Sequence, residues 1–253
     1  MISRLRVAGC VFAEDEAALL VGQATSPAQL ESMVSRRVAG LPLEHVLGWA
    51  EFCGLRVEVD PGVFVPRRRT EHLVAQAVEH TRRGAVVVDL CCGCGAIGLA
   101  VAHALGGDVE LYAADIDPVA VACARRNLSG VGGQTHAGDL YDALPTSLHG
   151  RVETLVVNTP YVPSEAIALM PPEARDFEPR VALDGGPDGL DVARRVAVAA
   201  PQWLAPGGCL LIESSEPQAP VLAEIFAAAG LAPAVTSAEG EDATVVLGWL
   251  PAA

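Results

Sequence analysis

Residues 85–90 read AVVVDL, 91–95 read CCGCG and 96–105 read AIGLAVAHAL. A short, almost wholly apolar run suits a central parallel strand, because helices cover both faces of such a sheet. A glycine-rich turn and an apolar helix follow at once, and this succession commits the chain to an open α/β sheet. Gly93-Cys94-Gly95-Ala96-Ile97-Gly98 fits the spacing G-x-G-x-x-G. Glycines there let the backbone approach a ligand closely, and the helix N-terminus offers unpaired N–H groups. Asp115, twenty residues beyond Gly95, ends the next apolar strand, LYAA at 111–114. An acid at that point can accept hydrogen bonds from both hydroxyls of a ribose, so the expected ligand is of adenosine type. The plainer alternative is that the glycines serve helix–strand packing and that Asp115 is a solvated turn residue. Asp117, just before Pro118, reads as a helix N-cap.

The charges near the loop choose among adenosine ligands. Asp89 ends the first strand, two residues before the loop 91–95. A carboxylate there would repel a pyrophosphate but suits a ligand bearing an ammonium group and a sulfonium, which favours S-adenosylmethionine over NAD. Asp139, in GDLYDAL after the expected third strand, adds an acceptor for an adenine amino group. After a fourth strand, LVVN at 155–158, comes Asn158-Thr159-Pro160-Tyr161, at the end of the sheet where open α/β folds bind ligands. A planar NH₂ group is a poor nucleophile because its lone pair is delocalised. If the Asn158 side-chain oxygen and a neighbouring backbone carbonyl each accept one of its hydrogens, the nitrogen is held with its developing lone pair aimed. That is positioning by preorganised dipoles rather than general-base catalysis. Tyr161 would stack on the planar group. The plainer alternative is a strand-ending turn punctuated by Asn and Pro.

Around this nucleus the chain alternates helices and strands. The first ~40 residues read as two helices from their apolar periodicity, the second with Ser26 as N-cap, Pro27 at its first position and Gln29 completing a capping box. Leu55, Val57 and Val59 alternate with charged residues as in a half-buried strand, and Pro66 closes the leading segment. Helices are expected from about Thr70, over 96–105, 118–127, 189–203 and 217–229, with a strand at 209–213. Two last strands, near 231–237 and 244–249, are joined by a short polar loop containing Gly240. That loop is too short for a parallel crossover, so the pair is expected to be antiparallel.

Composition narrows the function classes. All 17 basic residues are Arg, against 31 Asp+Glu, for a net charge of −14. The absence of Lys excludes a Schiff-base lysine and a Walker-type phosphate loop. The acidity argues against direct nucleic-acid binding. No signal-like or membrane-spanning apolar stretch is expected. Seven cysteines, an odd number in a long chain, read as reduced thiols in a cytoplasm. The CCGC cluster has no partner pair at metal-ligand spacing, so no metal is expected. The six histidines form no ligand spacing or triad, and read as structural or solvated. Arg67-Arg68-Arg69 is either a solvated face or a grip on an acidic group, with Glu71 placed to orient Arg67. Glu213 ends a strand near the cleft, with no role assigned.

Taken together, these segments resemble the release-factor glutamine methyltransferase family from about Arg36 onward. RRVAGLPLEHVLGWAEFCGLRVEVDPGVFVPRRRTEHLV resembles its linker hairpin and entry to the catalytic domain. VVDLCCGCGAIGLA stands where the family has a D-L-G-T-G-S-G type loop, NTPYVPSE stands for N-P-P-Y, and EPRVALDGGPDGLDVAR resembles the segment after it. The resemblance implies a Rossmann-like class I methyltransferase sheet with a C-terminal antiparallel strand. It implies a helical N-terminal segment and hairpin over 1–65 for substrate recognition, with the S-adenosylmethionine-dependent domain over 66–253. Asp89, Cys91, Cys92, Gly93, Cys94, Gly95, Asp115, the Asp139–Leu140 turn and Asn158 would bind the cofactor. Asn158, Thr159, Pro160 and Tyr161 would hold a substrate glutamine amide, and Arg67 follows Pro66 at the family-like position. The implied partner is a protein presenting a glutamine, a release factor or another.

Three departures accompany the resemblance. Thr159 replaces the first proline of N-P-P-Y, Cys91 places a Cβ where the family has none, and the stretch before PLEHVLG is short. They point to a paralogue with its own substrate. Methylation of a small molecule's nitrogen, or S-adenosylmethionine binding without catalysis, are the alternatives. The three loop thiols read as small space-fillers rather than acidified, oxidation-sensitive groups.

Overall fold

The computed structural model describes residues 1–238 and 242–252. Helices α1 (Ile2–Val7), α2 (Ala13–Gln23), α3 (Pro27–Val38) and α4 (Leu43–Leu47) lead into an antiparallel hairpin, β1 (Trp49–Phe52) and β2 (Leu55–Glu58). Then follow α5 (Glu71–His80), β3 (Ala85–Leu90), α6 (Ala96–Ala104), β4 (Val109–Asp115), α7 (Pro118–Leu128) and β5 (Gln134–Ala137). The chain continues through β6 (Val152–Val157), α8 (Pro172–Phe177), α9 (Asp191–Trp203), β7 (Leu204–Ser214), α10 (Ala219–Ala228), β8 (Ala232–Ala238) and β9 (Ala243–Trp249).

The large sheet runs β5-β4-β3-β6-β7-β9-β8. Strands β3 to β7 are mutually parallel, and β9 lies antiparallel to both β7 and β8, as the short connection required. Residues 239–241 of the connecting loop, Gly240 among them, lie outside the described residues. Every position of β3 is buried, which its unbroken apolar run anticipates for the centre of a two-faced sheet. From β3 the order runs outward through β4 and β5 on one side and through β6 and β7 on the other. The crevice at that reversal, beyond the strands' carboxyl ends, is where such sheets take ligands.

Separate hydrophobic clusters cover the two faces. Leu73, Ala77, Ile97 and Val101 pack with the hairpin residues Phe52 and Val57 on one, and Val196, Trp203, Leu222 and Phe226 cover the other. The hairpin thus packs into the hydrophobic cluster on one face of the large sheet. The first helices build a smaller cluster around Leu5, Leu20, Met33 and Val46. Two loop glycines show why the turn–helix pattern requires them. A Cβ on Gly95, at φ +78°, would come within 3.2 Å of Ala124 and Leu128, and one on Gly98 within 3.1 Å of Asp89 Oδ2.

Several expectations need correction. The first forty residues hold three helices, not two, because α1 is a six-residue piece with only Leu5 buried and shows no periodicity to read. Ser26 does cap α3 through the Gln29 N–H at 3.2 Å. The Gln29 side chain, however, accepts from the N–H and hydroxyl of Thr25 instead of closing the box on Ser26. Strand β6 ends at Val157, leaving Asn158 outside the ladder, and β7 starts at Leu204. Asp117 caps α7 through the Val119 N–H at 2.8 Å, as expected.

Candidate active site

The carboxyl ends of β3, β4 and β6 open onto a cavity of about 530 Å³. Cys91, Cys92, Gly93, Cys94, Asp115, Asp139, Leu140, Asn158, Thr159, Pro160, Tyr161 and Arg67 all line it. Two of the residues singled out in the sequence, Asp89 and Gly95, stand behind its wall instead. Asp89 is fully buried, its Oδ2 accepts the Gly98 N–H at 2.9 Å, and its Oδ1 has no hydrogen-bond partner among the described residues. It therefore anchors the loop from below. Burial pushes its carboxyl up to about 7, aided by the neighbouring Asp115 and opposed by the Gly98 N–H.

Asp115 holds the loop from the side. Its Oδ2 accepts from the Gly93 N–H and its Oδ1 from the Asp117 N–H, both at 2.9 Å. Its carboxyl too is raised, chiefly by burial. Each oxygen keeps a lone pair for a hydroxyl from the cavity. Asp139 Oδ2 is paired with an Arg195 guanidinium nitrogen at 2.7 Å, a partner contributed by α9. Leu140 follows at φ +50°, and Cys91 at φ +54°, both in the left-handed region that side chains avoid. Burial drives the Cys91, Cys92 and Cys94 thiols upward, the opposite of acidification, in keeping with space-fillers. Among the described residues no cluster of His, Cys, Asp and Glu suits a metal.

At the other end, Asn158 Nδ2 donates to the Thr70 hydroxyl at 3.4 Å, which directs its amide oxygen away from Thr70. Thr159 is buried, and the Tyr161 hydroxyl meets both Arg69 and Glu213 Oε1. Arg67 stacks on Phe64 at 4.7 Å and pairs at 2.5 Å with the buried Glu178, not with Glu71. Glu71 instead accepts the Cys53 N–H. Burial raises the Glu178 carboxyl, and Arg67 and the Val65 N–H oppose that shift.

The segment 183–189, within the stretch EPRVALDGGPDGLDVAR, braces the turn. Val162 N–H donates to Leu183 O at 3.0 Å and Gly185 N–H to Val162 O at 2.9 Å. Gln218 Nε2 donates to both Tyr161 O and Asp188 O. The backbones approach so closely that a Cβ on Gly189 would lie 2.2 Å from Tyr161 O. The cluster of glycines at 185, 186 and 189 was the signal available in the sequence.

Residues 54–170 match the family model described as "Methyltransferase small domain". A release factor glutamine methyltransferase of Geobacter sulfurreducens is 35% identical over 223 residues, covering 87% of this chain and 77% of that protein. The 4-amino-L-phenylalanine/4-methylamino-L-phenylalanine methyltransferase of Streptomyces pristinaespiralis is also 35% identical, over 81% of this chain and 71% of that one. The crystal structure of a methyltransferase from Pyrococcus furiosus superposes with a TM-score of 0.59 at 15% identity, covering 78% of this chain and 90% of that one. That likeness bears on the fold, a class I methyltransferase sheet. The identity to curated relatives extends over most of both chains, and the protein belongs to the release factor glutamine methyltransferase family.

Proposed function

We propose that this protein is an S-adenosylmethionine-dependent methyltransferase that acts on the side-chain amide nitrogen of a protein glutamine. One observation carries the reading: the Asn158–Tyr161 turn and the acid-flanked glycine loop face the same cavity. The residues at the loop fit this cofactor better than a dinucleotide. No cation in the loop awaits a pyrophosphate, the acids Asp89 and Asp115 flank it through the Gly98 and Gly93 N–H groups, and Arg195 is taken up by Asp139. Asp115 would hold the ribose, the Asp139–Leu140 turn the adenine, and loop 91–95 with Asp89 beneath it the amino-acid end. When bound, S-adenosylmethionine supplies an electrophilic methyl group.

The chain's own part is positioning. Asn158 Oδ1 accepts one N–H of the acceptor and the Thr159 carbonyl the other. Pro160 restrains Thr159 to extended backbone, which keeps that carbonyl in place. Tyr161 covers the planar group, and Arg67, held by Glu178, lines the same cavity. With both hydrogens engaged the amide is fixed in orientation, and the surrounding dipoles favour the charge that develops on nitrogen. Residues 1–65 would recognise the protein acceptor, and 66–253 carry the chemistry. Seven unpaired thiols support a reducing, cytoplasmic setting. Among the described residues no helix is long and apolar enough to cross a membrane.

Methyl-labelled S-adenosylmethionine in a cell extract, comparing wild type with Asn158→Ala, tests the reading. Label in one protein band, mapped to glutamine and lowered about 100-fold or more in the variant, is expected. The affinity for S-adenosylhomocysteine should fall far less, within about threefold, since the loss falls chiefly on acceptor contacts. Equal labelling by the two proteins overturns the assignment of Asn158. Methylation of a small molecule's amino group is the second reading, favoured by Thr159 in place of a proline and by the Streptomyces pristinaespiralis relative. Label confined to small molecules would select it.

A further inference from the structure

We infer that Glu213, acting through Arg69, is a positioning residue for the acceptor clamp, holding the Tyr161 ring against the cavity. The inference rests on the reading above that Tyr161 covers the acceptor's planar group. Register places Glu213 for this: Val157 of β6 pairs with Ile212 of β7, so Glu213 stands level with Asn158 as β6 ends. The Glu213 side chain is 2% exposed and lies behind the cavity wall, whereas Arg69 lines it and is 41% exposed. Arg69 Nε donates to Glu213 Oε1 at 3.3 Å, and the Tyr161 hydroxyl reaches the same oxygen at 3.3 Å. A second Arg69 nitrogen donates to the Tyr161 hydroxyl, and the guanidinium carbon lies 5.8 Å from the ring centroid.

The three groups close a triangle, so the phenol has a donor on one side and an acceptor on the other. A buried carboxylate is costly unless a charged, hydrogen-bonded partner meets it. Among the described residues Glu213 Oε2 has no hydrogen-bond partner, so Arg69 and Tyr161 supply the compensation seen there and neither can swing away freely. Thr70, next in the chain, contacts Asn158, so one turn between β2 and α5 touches both sides of the clamp. Because both members of the ion pair also bond the phenol, the pair restrains the ring as well as the fold.

Nitration by tetranitromethane, read by peptide mass, tests whether the ring is held, with buried Tyr112 and Tyr141 as internal references. Arg69→Met is expected to raise Tyr161 nitration about fivefold relative to those references, as local restraint is lost. In the same proteins, transfer to a synthetic peptide with one central glutamine and to 4-amino-L-phenylalanine is followed. Tyr161→Phe and Arg69→Met should each lower kcat about tenfold, with the double variant no worse than either and S-adenosylhomocysteine affinity unchanged. Glu213→Gln, which keeps an acceptor oxygen, should retain more activity than Glu213→Leu. Unchanged nitration, or nitration that rises with kcat unmoved in Tyr161→Phe, overturns the inference. If wild type methylates neither acceptor and labels no glutamine in cell-extract protein while nitration still responds, the proposed function falls and the restraint on Tyr161 stands.

Discussion

Cys91 carries a side chain at φ +54°, where steric crowding between Cβ and backbone costs an L residue roughly 1–2 kcal/mol. Glycine would relieve that strain and give back part of it through a freer unfolded chain. Cys91→Gly is expected to stabilise the protein by about 0.5–1 kcal/mol in urea unfolding; a destabilised variant would mean that thiol packing outweighs the strain. Asp89 yields a second prediction, on pH. Its carboxyl, ordinarily at 3.8, is pushed up to about 7, so between those values the native protein keeps a proton that the unfolded chain has released. The slope of stability with pH is then negative, and this site costs up to about 1.4 kcal/mol per unit as pH rises through the window. Asp89→Asn keeps an oxygen for the Gly98 N–H and removes the titration. Its stability relative to wild type should therefore rise from pH 4.5 to 6.5. A constant difference across that range would exclude the assignment.

Between elements, Arg37 of α3 lies buried with its Nε at 2.7 Å from Glu16 of α2 and its Nη1 at 2.6 Å from Glu173 of α8. The cavity-lining α8 is thereby tied to the N-terminal helices. Arg37→Met leaves Glu16 buried without a counter-charge and should cost about 3 kcal/mol in urea unfolding. Adding Glu16→Gln should recover part of that loss, and no recovery would mean the cost is lost packing. The same pair shows what the sequence withheld. Strand β3, the glycine turn and the antiparallel end were legible because the residues that dictate them are neighbours in the chain. The partner of Arg67 was not: Glu71 is four residues away, but the chain folds Glu178 against it from 111 residues on. Asp89 was read as a cavity group because β3 ends near the ligand, yet strand alternation and the Gly98 N–H turn it beneath the loop. Glu213 went unassigned because its meaning lies in Arg69 and Tyr161, each distant in sequence.

At the scale of the molecule, the net charge of −14 distinguishes the two acceptors proposed. A field of one sign over a whole protein steers an oppositely charged macromolecule and raises its encounter rate, by roughly 10-fold to 1000-fold at low salt. It does much less for a small zwitterion, whose charges sum to zero. A basic protein acceptor should therefore show kcat/KM falling about tenfold between about 50 mM and about 500 mM salt, as the screening length contracts. For 4-amino-L-phenylalanine the change should stay within about twofold, because only contacts inside the cavity matter and those are screened little. Chemistry at the clamp is the same in both cases, so kcat should be nearly insensitive to salt and the effect should sit in the encounter step. A salt-independent kcat/KM toward every protein acceptor would remove electrostatic steering from the account and shift weight to the small-molecule reading. A steep dependence would indicate that an acidic chain without Lys selects its partner before the Asn158 clamp engages the amide.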